Sequence, residues 1–274
     1  MTNDPAPAAH APVPGASDTL TPEAITPEAV AALLDRLRTL APRVHSMTNI
    51  VAQNFTANLL LAAGAVPSMT IAPDEVSDFT ARSGALLVNI GTLDPLLREA
   101  APVAVAAARR GAKPWLLDPV LIDRSDPRLA FARDLAELGP AVIRANALEF
   151  RTLAGRADDD REIRAYAAGR ACVVAVTGEV DRVTDGKRLV RVSNGHPLMA
   201  KVTAVGCAGT ALIGAFCAVE PDALLATVAG LVTLGVAGEI AAREARGPGS
   251  FAVALLDALH GLDGEAVVAR ARLA

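Results

Sequence analysis

Ala85-Leu86-Leu87-Val88-Asn89-Ile90-Gly91-Thr92 and, further on, Trp115-Leu116-Leu117-Asp118 decide how this chain folds. Each is a short apolar run that ends in polar residues. Between them a helix pattern runs over residues 94–110 and stops at Gly111. A strand, a helix and a second strand, with strands apolar on both faces, describe a parallel sheet covered on both sides.

The same alternation extends in both directions. Strand patterns cover residues 44–47, 66–70, 141–143 and 172–176; helix patterns cover 51–63, 126–138 and 146–153, and a short one starts at Pro73. A first helix opens at Pro27, with Thr26 as N-cap and Val30, Leu33, Leu34, Leu37 and Leu40 at helical spacing. Residues 180–193 break the rhythm: Asp185-Gly186 is a hairpin turn between two short strands, which adds an antiparallel pair. Beyond Gly206 the pattern is helical, in three segments ending near His260. The expectation is an α/β fold, a central mostly parallel sheet with helices on both faces. Residues 1–26 are rich in Ala and Pro and are expected to be disordered; residues 27–274 form a single domain.

Composition removes several classes of function. The chain has 274 residues, is 52% apolar and only 3% aromatic, so its core is built from Ala, Leu and Val. A net charge of −4 without a basic cluster argues against nucleic acid and anionic membrane as partners. Cys172, Cys207 and Cys217 fit neither a disulfide framework nor a zinc spacing, which suits a reducing cytoplasm. No signal-peptide pattern is visible, and the uncharged run 223–238 is shorter than the roughly 20 residues of a membrane span. The chain also lacks a phosphate-binding Gly-x-x-x-x-Gly-Lys loop, a Gly-x-Gly-x-x-Gly turn after a strand, and His-Glu-x-x-His.

Polar residues gather where the strands end. Thr48 and Asn49, then Asn89, Gly91 and Thr92, then Asp118, then Arg144 and Asn146, then Thr177, Gly178 and Glu179 each follow an apolar run. The carboxyl ends of strands are where open α/β sheets bind ligands. A further stretch, Lys201-Val202-Thr203-Ala204-Val205-Gly206-Cys207-Ala208-Gly209-Thr210, leads through small residues into a helix. Its free N–H groups and dipole make an anion site. Cys207 in that first turn is expected to ionise below the ordinary thiol value of about 8.5.

Val44-His45-Ser46-Met47-Thr48-Asn49, Asn54-Phe55-Thr56-Ala57-Asn58, Asn89-Ile90-Gly91-Thr92-Leu93, Leu117-Asp118-Pro119-Val120, Val176-Thr177-Gly178-Glu179, Val183-Thr184-Asp185-Gly186, Asn194-Gly195-His196-Pro197-Leu198-Met199 and Gly247-Pro248-Gly249-Ser250-Phe251 stand in this order along the chain. Together they resemble the hydroxyethylthiazole kinase family. The resemblance spans about 44–259. It implies a ribokinase-like fold and ATP- and magnesium-dependent phosphorylation of the hydroxyl of hydroxyethyl-methylthiazole in thiamine salvage. It also implies a homotrimer with thiazole pockets at subunit interfaces.

By position, the resemblance makes Cys207 the catalytic residue and Arg144 and Thr177 the ATP-binding residues. Met69, Ala204 and Asn49 fall on the thiazole substrate, and Asp118 and Glu149 lie near magnesium. Where the family carries Gly-Thr-Gly-Cys, this chain reads Ala204-Val205-Gly206-Cys207. Val205 brings a β-branched residue, which disfavours left-handed backbone, into the expected anion hole. Two other activities stay open: a kinase of another small alcohol such as a hydroxymethylpyrimidine, and a ligand-binding protein that has lost catalysis. That Asp118, Arg144, Glu149, Thr177 and Cys207 are all present favours an enzyme.

Overall fold

The computed structural model describes residues 25–274. The expected disorder over residues 1–26 lies outside the described residues except at Ile25 and Thr26. Thr26 Oγ1 accepts from the Ala29 N–H at 3.2 Å and caps α1 (Pro27–Leu40). Val30, Leu33, Leu34 and Leu37 of α1 are buried, whereas Leu40, in its last turn, is exposed.

Eight strands form one sheet: β1 (Arg43–Met47), β2 (Val66–Ser68), β3 (Ala85–Asn89), β4 (Trp115–Asp118), β5 (Val142–Asn146), β6 (Val173–Thr177), β7 (Asp181–Thr184) and β8 (Leu189–Val192). Their spatial order is β2-β1-β3-β4-β5-β6-β7-β8. The strands from β2 through β6 pair in parallel, and β7 and β8 add the antiparallel hairpin at one edge. The fold class read from the sequence holds: strands that are apolar throughout have both faces covered.

The helices α2 (Gln53–Ala63), α8 (Val205–Cys217), α9 (Ala223–Glu244) and α10 (Pro248–Gly261) join α1 on one face. α3 (Val76–Ala81), α4 (Pro95–Arg110), α5 (Asp126–Ala136), α6 (Ala147–Ala154) and α7 (Asp160–Arg170) cover the other. The alternation of side chains along each strand splits the core accordingly. Leu87, Leu116, Val142 and Ala175 face the layer of α8 and α9, while Leu86, Val88, Leu117, Ile143 and Val174 face α4 to α7. α9 is long and apolar enough to cross a membrane, and most of it is buried within the fold, against α8 and α10.

Two elements depart from the sequence expectations. α7 was not foreseen because its composition is dominated by charge. Only Ile163, Tyr166 and Ala167 face the core, at one side of a helix capped by Asp159. A fourth terminal helix, α11 (Gly264–Arg270), follows the three expected ones and packs on α1.

Candidate active site

Strand register builds the site. Asn89 lies beside Asp118 across β3 and β4, and Asn146 beside Thr177 across β5 and β6. Because side chains alternate, Asn89, Asp118, Arg144 and Thr177 continue the rows of Leu87, Leu116, Val142 and Ala175 on the α8 face. Four neighbouring strands thus each carry a polar side chain on that face near their carboxyl ends. The amino end of α8 closes over them.

Spacing along α8 explains the close approach. Gly206, Thr210 and Gly214 recur every four residues and turn toward the sheet. A Cβ on Gly206 would sit 3.0 Å from Arg144 Nη1, so glycine lets the guanidinium lie against the first turn. One turn on, Thr210 Oγ1 donates to Asp118 Oδ2 at 3.0 Å. No side chain caps α8, which leaves its first N–H groups for a ligand.

The helix entry corrects one expectation. The left-handed residue is Ala204, with φ 75° and ψ −4°, while Val205 is the first helical residue and is buried. The β-branch therefore meets no backbone conflict. Ala204 instead carries the strain, of about 1–2 kcal/mol for a residue with a Cβ.

Asp118 is fully buried. Asn89 Nδ2 donates to its Oδ2 at 2.7 Å, and its Oδ1 has no partner. Burial pushes the carboxyl up to about 6; the nearby Arg144 charge and the two donors oppose the shift, and Glu149 adds to it. Glu149 is held differently. It closes a capping box with Asn146 at the start of α6, and its oxygens accept from the Asn146 N–H at 3.0 Å and the Leu121 N–H at 3.1 Å.

Cys207 is half-buried, and Asn49 Nδ2 donates to its Sγ at 3.5 Å. Its ionisation runs opposite to the sequence expectation. Burial, reinforced by the Asp118 charge, pushes the thiol up to about 11 against the opposing effects of Asn89, Arg144 and Asn49. A helix start favours the thiolate only where solvent also reaches it. Cys172 and Cys217 are buried more deeply, and burial takes both up to about 12.

The remaining expected residues spread around this centre. Asn49 is buried with its amide turned inward, accepting from the Ala52 N–H at 3.0 Å. Thr177 is half-buried at the end of β6. Met69 is half-buried just after the edge strand β2, one strand beyond β1. Sequence reasoning named Asn89 only among the polar residues at strand ends and assigned no role to Thr210 or Asp181. Asp181 accepts from the Gly178 N–H at 2.9 Å, and burial pushes its carboxyl up to about 6 against that bond and the Arg144 charge. The four-residue spacing of Gly206, Thr210 and Gly214 was the signal available for Thr210.

A divalent cation fits part of this set. Among the described residues no three His, Cys, Asp or Glu side chains cluster as an all-protein cage would require. Magnesium commonly keeps several waters and takes one or two carboxylates plus phosphate oxygens. The bare Oδ1 of Asp118 suits such a site, and Glu149 is close enough for its charge to add to the upward shift of Asp118.

With this geometry in place, known proteins offer a comparison. The model of the "Hydroxyethylthiazole kinase family" matches residues 34–265. A hydroxyethylthiazole kinase of Rhizobium etli is 48% identical over 255 residues, covering 88% of this chain and 99% of the relative. The solved hydroxyethylthiazole kinase of Pyrococcus horikoshii OT3 superposes with a TM-score of 0.86 at 38% identity, covering 89% of this chain and 98% of that one. A ribokinase-like superfamily protein of Enterococcus faecalis shares the fold alone, with a TM-score of 0.64 at 11% identity, covering 82% and 93% of the two chains.

Proposed function

The chain belongs to the hydroxyethylthiazole kinase family, and on that footing we propose that it phosphorylates the hydroxyl of hydroxyethyl-methylthiazole with magnesium ATP. It is an enzyme, a kinase of ribokinase-like fold acting in thiamine biosynthesis. The single observation that carries the site assignment is the row of Asn89, Asp118, Arg144 and Thr177 beneath the uncapped amino end of α8.

The chemistry follows from those positions. The alcohol oxygen attacks the γ-phosphorus, the bond to the β,γ-bridging oxygen breaks, and ADP leaves. Charge spreads over the transferred phosphoryl oxygens, and catalysis is mainly positioning and charge stabilisation. The N–H groups of Val205, Gly206 and Cys207, with the Arg144 guanidinium beside them, face that charge. Thr177 borders the nucleotide from β6. Asp118 and Glu149 are the residues that would hold magnesium, which would supply neutralisation of phosphate charge there.

Cys207 Sγ holds the reacting hydroxyl. With its thiol raised to about 11, it is protonated in the free chain. A loose transition state needs the hydroxyl proton removed only late, so the thiol positions the alcohol oxygen by hydrogen bonding, and the proton passes to an oxygen of the transferred phosphoryl group as the new oxygen–phosphorus bond forms. Met69 and Ala204 border the thiazole ring, while Asn49 acts through its bond to Cys207. We assign residues 27–274 to one kinase domain that works in the cytoplasm as a homotrimer with pockets between subunits. The exposed Ile50 and Val51, directly after Asn49, support an interface there.

ADP release over a panel of small alcohols with magnesium ATP tests this reading. The thiazole alcohol should give the highest kcat/KM. Preference for a hydroxymethylpyrimidine would overturn the substrate. Thiazole binding with no ADP release from any alcohol would make this a binding protein.

A further inference from the structure

Asn89 makes three side-chain hydrogen bonds at the centre of the site. It is fully buried at the end of β3. Its Oδ1 accepts from the Gly91 N–H at 3.0 Å and from Asn49 Nδ2 at 3.1 Å, and its Nδ2 donates to Asp118. The two ends of an amide side chain have the same shape, so their identity comes from their partners. A backbone N–H only donates. Gly91 therefore fixes the oxygen end of Asn89, and the Ala52 N–H fixes that of Asn49.

Polarity then propagates. Asn49 Nδ2 has two protons and two acceptors, Asn89 Oδ1 and Cys207 Sγ. Turning either amide over would set donor against donor or acceptor against acceptor in a buried place. The packing leaves no slack: a Cβ on Gly91 would sit 2.8 Å from Asn49 Nδ2 and 3.0 Å from Asn89 Oδ1.

We propose that Asn49 and Asn89 form a two-amide relay of fixed polarity, with Asn89 as its positioning residue. The relay presents a donor to Cys207 Sγ at one end and a donor to Asp118 Oδ2 at the other. Its functional meaning rests on the kinase reading above. At one end, Sγ accepts from Asn49 and keeps its own proton, or the lone pair left by it, directed toward the alcohol. At the other, Asn89 and Thr210 both occupy Oδ2, which leaves Oδ1 bare for a cation. The hydroxyl end and the phosphate end of the reaction are thereby oriented by one connected unit.

The test reverses the polarity without changing shape. Asn89→Asp keeps an oxygen for Gly91 and Asn49 but turns a second oxygen toward Asp118. Asn49→Asp keeps the Ala52 bond but turns an acceptor toward Cys207. For Asn89→Asp, kcat should fall about a hundred-fold, the scale of one lost preorganised donor, with KM for the alcohol nearly unchanged. For Asn49→Asp, iodoacetamide alkylation of Cys207 at fixed alkaline pH, without nucleotide, should slow about ten-fold or more as the carboxylate holds the thiol proton. The swap Asn89→Asp with Asp118→Asn restores a hydrogen bond of opposite sense, and should recover melting temperature but not kcat.

Parental kcat in folded Asn89→Asp, or recovery of kcat in the swap, would overturn the relay. So would an unchanged alkylation rate in Asn49→Asp. If the aspartates fail to fold, Gly91→Ala displaces the amides sterically and should lower kcat alone; parental kcat there also overturns it. Alkylation needs no ATP, so it judges the relay even if the parent phosphorylates no alcohol and the kinase reading fails.

Discussion

The two ends of the sheet treat charge in opposite ways. At the amino-terminal end of β6, the turn between β7 and β8 carries Arg188, which meets Asp185 at 2.8 Å and Asp222, the N-cap of α9, at 2.6 and 2.9 Å. All three groups are partly exposed; burial, the largest single effect, pushes each carboxylate up, but its bonds to Arg188 and to backbone N–H groups together hold it below its ordinary range. At the carboxyl end, Asp118 is fully buried, and among the described residues no Lys, Arg or His comes within 4 Å of it. Its partners are an amide and a hydroxyl. Charge that is paired holds the fold together; charge left unpaired is available to a ligand and destabilises the free chain.

The largest effect is expected at Asp118. Its folded value is raised from 3.8 to about 6, so its ionised form opposes folding. That cost is complete above about pH 6 and disappears as pH falls below the unfolded value. It amounts to about 2–3 kcal/mol at neutral pH. Asp118→Asn should therefore raise the urea-unfolding free energy at pH 7 by about 2 kcal/mol while turnover drops by a factor on the order of a hundred or more. A variant that is both less stable and inactive would erase the contrast between the two ends.

Arg188→Ala should do the reverse. Loss of the bidentate contact leaves Asp185 and Asp222 facing each other, and stability should fall by about 1–2 kcal/mol. Neither kcat nor either KM should move, as steady-state kinetics would show. A change in KM for ATP would mean that the hairpin turn reaches the site.

The smallest effect sharpens the picture at the helix entry. Ala204→Gly relieves a left-handed backbone at the cap of α8 and should add about 1 kcal/mol of stability. Thermal melting measures it. Unchanged or lower stability would place the strain elsewhere.

Much of this was legible in the sequence, for identifiable reasons. The inner strands β3, β4 and β6 announced themselves as apolar runs because both of their faces are covered, and Asp185-Gly186 announced the hairpin. α7 stayed hidden because only Ile163, Tyr166 and Ala167 face inward. The polar residues at strand ends were visible one by one. Their bonds were not: that Asn89 meets Asp118 follows from strand register, and that Thr210 meets Asp118 follows from where α8 crosses the sheet. The thiol of Cys207 was misjudged because the helix start is a local feature of sequence, whereas the burial that outweighs it is supplied by distant segments.

One measurement addresses the central claim, that the unpaired charge at the carboxyl end serves phosphoryl transfer to a thiazole alcohol. Parent and Asp118→Asn are incubated with magnesium ATP and hydroxyethyl-methylthiazole, and ADP and phosphorylated thiazole are quantified together by mass spectrometry. The account predicts equal amounts of the two products from the parent and at least about a hundred-fold less of both from the more stable variant. ADP without phosphorylated thiazole from the parent, or undiminished product from Asp118→Asn, would contradict it.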